Sequence, residues 1–216
     1  MRMTVDMDLA TVDTDGIFDG LTGAGPWDSD DWKADTQLNG GALDGLAHQL
    51  SFVSDADVNT LTFTVTGTDA DNNVITEDVT GVTTSPVETT KYFKTVTALE
   101  ASATLDTNTL DVGWVDEAVS PTVYLDSFGP NSAYIQLDVT GTIHVTVDIT
   151  AAEPHDFANQ NAIPWMASTV AALDDETADS TAPAAVGLGA RALRFRVTSY
   201  STGAEFQAYM LQADHP

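Results

Sequence analysis

The chain has 216 residues, 43% of them hydrophobic, and carries 33 acidic against 7 basic side chains for a net charge of −26. That length supports one large or two small domains with real cores, so a disordered chain is excluded, and the lack of cysteine excludes disulfides and thiolate chemistry. No apolar run approaches the roughly 20 residues of a membrane span. The start, Met1 to Asp6, lacks the charged and apolar regions of a secretory signal. Neither membrane attachment nor secretion is expected.

The acids are 26 Asp and 7 Glu, and the only lysines are Lys33, Lys91 and Lys94. Such a surface repels itself at low ionic strength. Molar salt shortens the screening length to about 3 Å and relieves that repulsion. Carboxylates spread along the whole chain therefore point to a protein from a high-salt organism or its virus. Nucleic-acid binding is not expected, because it needs basic side chains facing phosphates.

Residues 1–37 are acidic and rich in glycine and aromatics, with poor periodicity. They read as an extended arm with a short strand near Met3–Leu9. Trp27 and Trp32 read either as anchors of this arm on a neighbouring surface or as side chains packed on their own domain. Turn glycines (Gly40, Gly41, Gly45) precede a strand at His48–Val53. Thr60–Gly67 alternates strictly, with Leu61, Phe63 and Val65 on one face, the signature of a half-buried strand. The polar cluster Thr68–Asn73 and the alternating Val74–Thr80 complete a hairpin. After a turn at Gly81–Pro86, strands are expected at Thr89–Val96, Ala98–Ala103 and Thr109–Val115. A second set is expected at Thr122–Leu125, Ala133–Val139, Thr142–Ile149, Leu193–Ser199 and Glu205–Leu211, with a tight turn at Gly141. The stretch Ala151–Ala190, with Pro154, Pro164 and Pro183, reads as a long loop, of the kind that is functional or mobile; Thr169–Leu173 adds a helical turn.

The expected fold is all-β: two antiparallel β-sandwich or jelly-roll-like domains with an extended N-terminal arm. The domains are the arm at 1–37, a first sandwich at 38–116 and a second at 117–216 carrying the loop 151–190.

Motifs for chemistry are sparse. Asp69, Asp71, Asn73 and Glu77 have roughly the oxygen-ligand spacing of a calcium loop, but they lack its glycine and suit a hairpin tip equally. They are weak metal candidates. The histidines His48, His144, His155 and His215 show no metal-ligand spacing; His144 reads as a sheet-surface side chain, and His155 beside Asp156 is a remote zinc candidate. No serine-nucleophile motif or phosphate loop occurs, and the abundant carboxylate pairs have the salt explanation. No catalytic residue and no cofactor are expected. Arg191, Arg194 and Arg196 are three of the four arginines. They read either as partners of this chain's own carboxylates or as an inter-subunit contact using forked guanidinium–carboxylate bonds.

Three segments carry a resemblance. Residues 61–81 read LTFTVTGTDADNNVITEDVTG, residues 89–97 read TTKYFKTVT, and residues 138–149 combine with ALRFRVTS at 192–199 and the stretch Phe206–Gln212. Together they resemble a group of small β-rich structural proteins of tailed bacterial and archaeal viruses. In that group a "TGTDADGN…E…TG" hairpin precedes a "TTKYFKTVTSV" strand, and the C-terminal domain ends on a hairpin. Here Asn73 stands in place of the usual glycine. The resemblance implies a non-enzymatic virion protein, assembled in the host cytoplasm, that contacts other virion proteins and forms a homo-oligomer. The favoured role is a capsid decoration or vertex protein binding the shell in many copies. A tail or head–tail-junction component is the second reading. A halophilic adhesin or carbohydrate-binding β-sandwich is the reading from a different class.

Overall fold

The computed structural model describes residues 2–33, 40–82, 85–125, 133–179, 184–186 and 189–212. Parts of the expected arm (34–37), of the turn at 81–86 (83 and 84) and of the long loop (180–183, 187 and 188), and His215, lie outside the described residues.

The strands run β1 Arg2–Asp8, β2 Asp13–Leu21, β3 Ala47–Ser54, β4 Thr62–Thr68, β5 Val74–Thr80, β6 Val87–Glu88, β7 Thr95–Ala101, β8 Leu110–Val119, β9 Val123–Tyr124, β10 Ala133–Thr140, β11 Ile143–Thr150, β12 Met166–Ala167, β13 Ala184–Ala185, β14 Ala192–Tyr200 and β15 Glu205–Gln212. Helical structure among the described residues is limited to three 3-10 turns, Pro154–Asp156, Gln160–Ala162 and Ala171–Leu173. The fold is all-β, built from antiparallel sheets. It divides into two compact units, one of Val12–Ala118 and one of Met1–Thr11 with Val119–Pro216.

In the unit Val12–Ala118, β4 pairs with β5 and β7 in a three-stranded sheet, while β8 pairs with β3 and β2, and β3 with β6. The β4–β5 register runs Thr62↔Thr80 to Thr68↔Val74, the expected hairpin. Phe63 and Val65 are fully buried, as their alternation requires. The two sheets meet through Phe52 of β3 and Phe63 of β4, whose ring centroids lie 6.0 Å apart.

The expected strands Thr89–Val96 and Ala98–Ala103 are instead one strand, β7, starting at Thr95. Side chains hold residues 89–91 out of a ladder: Thr89 Oγ1 accepts from Leu50 N–H and donates to the Lys91 carbonyl, and Glu77 accepts from the Thr90 and Lys91 N–H groups. Gly67 sits at the bulge between β4 and β7, where a Cβ would come within 1.9 Å of the Thr95 carbonyl oxygen.

The other unit is also a sandwich. One sheet has the order β1-β15-β10-β13; the other joins β12, β11, β14 and β9. Met7, Ile135, Leu137, Phe206, Ala208 and Met210 face Ile143, Val145, Val147, Leu193, Phe195 and Val197, all of them buried. Phe195 and Phe206 meet at 5.6 Å across the two sheets. The chain turns at Gly141 (φ 85°) and again at Gly203 (φ 74°). In both places it crosses between sheets instead of forming a hairpin, since β10 pairs with β15 while β11 pairs with β14. The terminal hairpin implied by the resemblance is therefore a sheet-to-sheet arch. Each strand prefers the face-to-face core to its sequence neighbour.

The arm expected over 1–37 is corrected. The short strand expected near Met3–Leu9 is present as β1, but it is no free arm: it is paired along its full length with β15, from Arg2↔Leu211 to Asp8↔Glu205. β2 runs against β8. It escaped the sequence reading because its contact depends on missing side chains. A Cβ on Gly16 would lie 2.4 Å from the Trp114 ring, and one on Gly113 would lie 1.9 Å from the Asp13 carbonyl oxygen.

Candidate functional site

The outward face of the β1-β15-β10 sheet is ordered by register. Side chains of alternate residues share a face, so Arg2, Leu211 and Tyr134 form one row across the sheet and Thr4, Tyr209 and Gln136 the next. The third row is Asp6, Gln207 and Asp138, and the fourth is Asp8, Glu205 and Thr140. One end of the face is thus aromatic with a single cation, and the other end is acidic. Tyr134, Tyr209 and Leu211 are 46%, 43% and 49% exposed. With Arg2, Met3, Thr4, Gln136 and Met210 they line a shallow groove of about 480 Å³. The Tyr209 hydroxyl donates to Gln207 Oε1 at 2.6 Å, which fixes the ring on the surface. An exposed cluster of two tyrosines and a leucine on so charged a chain is a candidate interaction surface.

The arginine stripe points inward to its own unit. Asp148 of β11 lies beside Arg194 of β14 in register, and both are buried. Asp148 Oδ2 accepts from Arg194 Nε at 3.1 Å and Arg196 Nε at 3.0 Å, and Oδ1 accepts from Arg196 Nη2 at 3.2 Å. Arg194 Nη1 also donates to Gln160 Oε1 at 3.3 Å, and its guanidinium lies 5.0 Å from the Trp165 ring centroid. Gln160 Nε2 donates to the Ser120 carbonyl and to Thr122 Oγ1, and Trp165 Nε1 donates to the Gln160 carbonyl. Arg194 and Arg196 are therefore not a free inter-subunit contact. Arg194 clamps the segment after β11 onto the sheet through Gln160 and Trp165, while Arg196 ties β14 to Asp148 of β11, so this part of the expected long loop is fixed. Gln160, Ile163, Ser168 and Leu173 are all buried in it. Arg191 is exposed; its backbone N–H donates to the Thr150 carbonyl and its carbonyl accepts from the Leu125 N–H.

Trp27 is a core residue, 6% exposed, in a two-way backbone bridge to Leu99. It cannot anchor a neighbour. Trp32 is half-buried, with its ring close over Gly40. Beside it in sequence, Lys33 Nζ lies 2.7 Å from Asp15 and 3.9 Å from Asp13. Hydrogen bonds from Asp13 and then Lys33 hold the Asp15 carboxyl below the usual range. Burial, and then sharing with Asp15, pushes Asp13 up. The bond to Asp15 raises Lys33.

The weak metal candidates do not converge. Asp69 is fully buried, and its Oδ1 accepts from the Asp71 and Asn73 N–H groups at 2.9 and 2.8 Å. The Asn73 amide donates to both its oxygens. Glu77 spends its oxygens on Thr90 and Lys91. These are turn and loop caps. The turn takes its positive φ at Asn72 (65°), so Asn73 needs no glycine. No group of three or more candidate metal ligands is found among the described residues. His48 is buried, with its ring nitrogens against Asp44 Oδ2 and the Val115 carbonyl. His144 meets Asp175, and His155 stacks on Tyr124 at 4.8 Å.

The groove residues were missed by sequence reasoning, although a signal existed. The alternation that buries Ile135, Leu137, Phe206 and Met210 also forces Tyr134, Tyr209 and Leu211 outward, where a soluble strand usually carries polar groups. In comparisons with known proteins, the chain matches no family model and no curated protein.

Proposed function

We propose that this chain is a non-enzymatic structural protein of a halophilic tailed virus, bound to the capsid shell in many copies as a decoration or vertex protein. The observation that carries the reading is the outward aromatic face at Tyr134, Tyr209 and Leu211 on a chain of net charge −26. In brine, screening weakens long-range attraction between charged surfaces. Apolar burial survives there, so a particle assembled in molar salt is held best by contacts of this kind. The motif resemblance at residues 61–81 and 89–97 supports the same reading.

Immunogold labelling of particles kept in molar salt tests it. Label spread over the head supports the shell role, and label confined to the neck or tail moves the protein to the junction. Absence of label overturns the virion reading. One observation favours a second reading, glycan binding: two tyrosine rings beside Gln136 and Thr4 combine a stacking surface with amide and hydroxyl partners. Retention on a glycan array, abolished by Tyr134→Ala and Tyr209→Ala, would select it.

A further inference from the structure

The edge of the β1-β15-β10-β13 sheet carries an inference that goes beyond the proposed function and does not depend on it. β1 pairs with β15 on one side, and among the described residues no strand pairs with its other side. Along Arg2–Asp8, alternate residues thus turn their N–H and C=O groups to an edge that no strand among the described residues covers, the template that edge strands offer to another chain. Met3 and Val5, which point to the core side, are only half-buried, whereas Met7 is fully covered.

The charges on this strand are arranged for a copy of itself. Arg2 stands at one end, and Asp6 and Asp8 at the other. Parallel addition of a second β1 would set Arg2 against Arg2 and stack four carboxylates together. Antiparallel addition about a two-fold axis at Val5 pairs all seven residues. It sets Arg2 against Asp8 of the second copy, Met3 against Met7, Thr4 against Asp6, and Val5 against itself. The aromatic, cationic end of one outward face then lies beside the acidic end of the other. Such an isologous contact forms the Arg2–Asp8 pair twice in the dimer, once for each Arg2, and direct ion pairs at contact distance persist where long-range repulsion between the two acidic bodies is screened. We infer that two copies of this chain join through antiparallel β1–β1 pairing centred on Val5, continuing one sheet across the dimer.

The test is the mass in solution, by analytical ultracentrifugation in molar KCl at about 100 µM chain, with circular dichroism as the check on folding. The wild type is expected at twice the chain mass. Arg2→Asp and Asp8→Arg, both at exposed positions, should each weaken the dimer at least tenfold, and the double variant should restore it. Arg2 and Asp8 of one chain are six residues apart on a strand, about 20 Å, so this rescue cannot be internal. Thr4→Arg, facing Asp6 of the second copy, should tighten the dimer and provides a reading independent of the swap. A monomeric wild type overturns the inference. So does a dimer indifferent to all four variants, or a double variant as dissociated as the singles.

Discussion

Replacing Asp148 by Asn tests whether the buried clamp holds the second sandwich together. The substitution keeps the shape and removes the anion that three guanidinium N–H groups share. Arg194, whose side chain is 8% exposed, keeps its contact to Gln160 Oε1 and faces a new amide in place of the carboxylate. Arg196, 25% exposed, can turn partly to water. Breaking a buried pair from one side costs about 3–5 kcal/mol. The solvent access of Arg196 puts the expectation at the lower end, about 3 kcal/mol. For a chain of this length each kcal/mol lowers the melting temperature by about 2–4 °C, so the loss should be about 6–12 °C. Calorimetry or thermal circular dichroism in molar KCl measures it. A repeat over a range of salt separates it from surface effects, because buried pairs are screened far less than exposed ones. A shift below about 2 °C, or one that disappears between 1 and 3 M salt, would refute the reasoning.

Four further outcomes are expected. Lys33→Gln should destabilise the protein by less than about 1 kcal/mol at neutral pH, since the pair with Asp15 is partly exposed. Because the Asp15 carboxyl is held below its unfolded value, that contribution is present above about pH 4 and is lost as pH falls through the lower folded value; denaturant titrations of both proteins should converge in acid. Asp69→Ala leaves the turn N–H groups of Asp71 and Asn73 without their acceptor and should cost about 1–3 kcal/mol by denaturant unfolding. Tyr134→Ala with Tyr209→Ala should leave stability within about 0.5 kcal/mol while releasing the protein from particles in a co-sedimentation assay; retention on the particle would detach the aromatic face from the shell role. Dialysis from molar to low salt should unfold or dissociate the wild type, read by circular dichroism and sedimentation.

The sequence by itself determined the all-β class and the faces of its strands. Period-2 alternation is a local property, and in Thr62–Thr68 or Glu205–Gln212 each side chain's sidedness follows from backbone geometry alone. The hairpin at Asp69–Asn73 was legible for the same reason: its hydrogen bonds lie within five residues. The charge balance likewise needed no structure to point to a screened surface. Tertiary structure alone decided which strands pair. Adjacent strands β10 and β11, or β14 and β15, look like hairpins in sequence, but two facing sheets bury more apolar surface when the chain arches between them. It also decided the fates of Trp27, of β2 and of the arginines. Trp27 is held by Leu99, β2 fits because Gly16 and Gly113 leave room, and Asp148 reaches Arg194 across 46 residues of chain. Periodicity records which face of a strand meets the core. It carries no record of a partner so distant in sequence, because that partner is selected by shape and charge only once the sheets have closed.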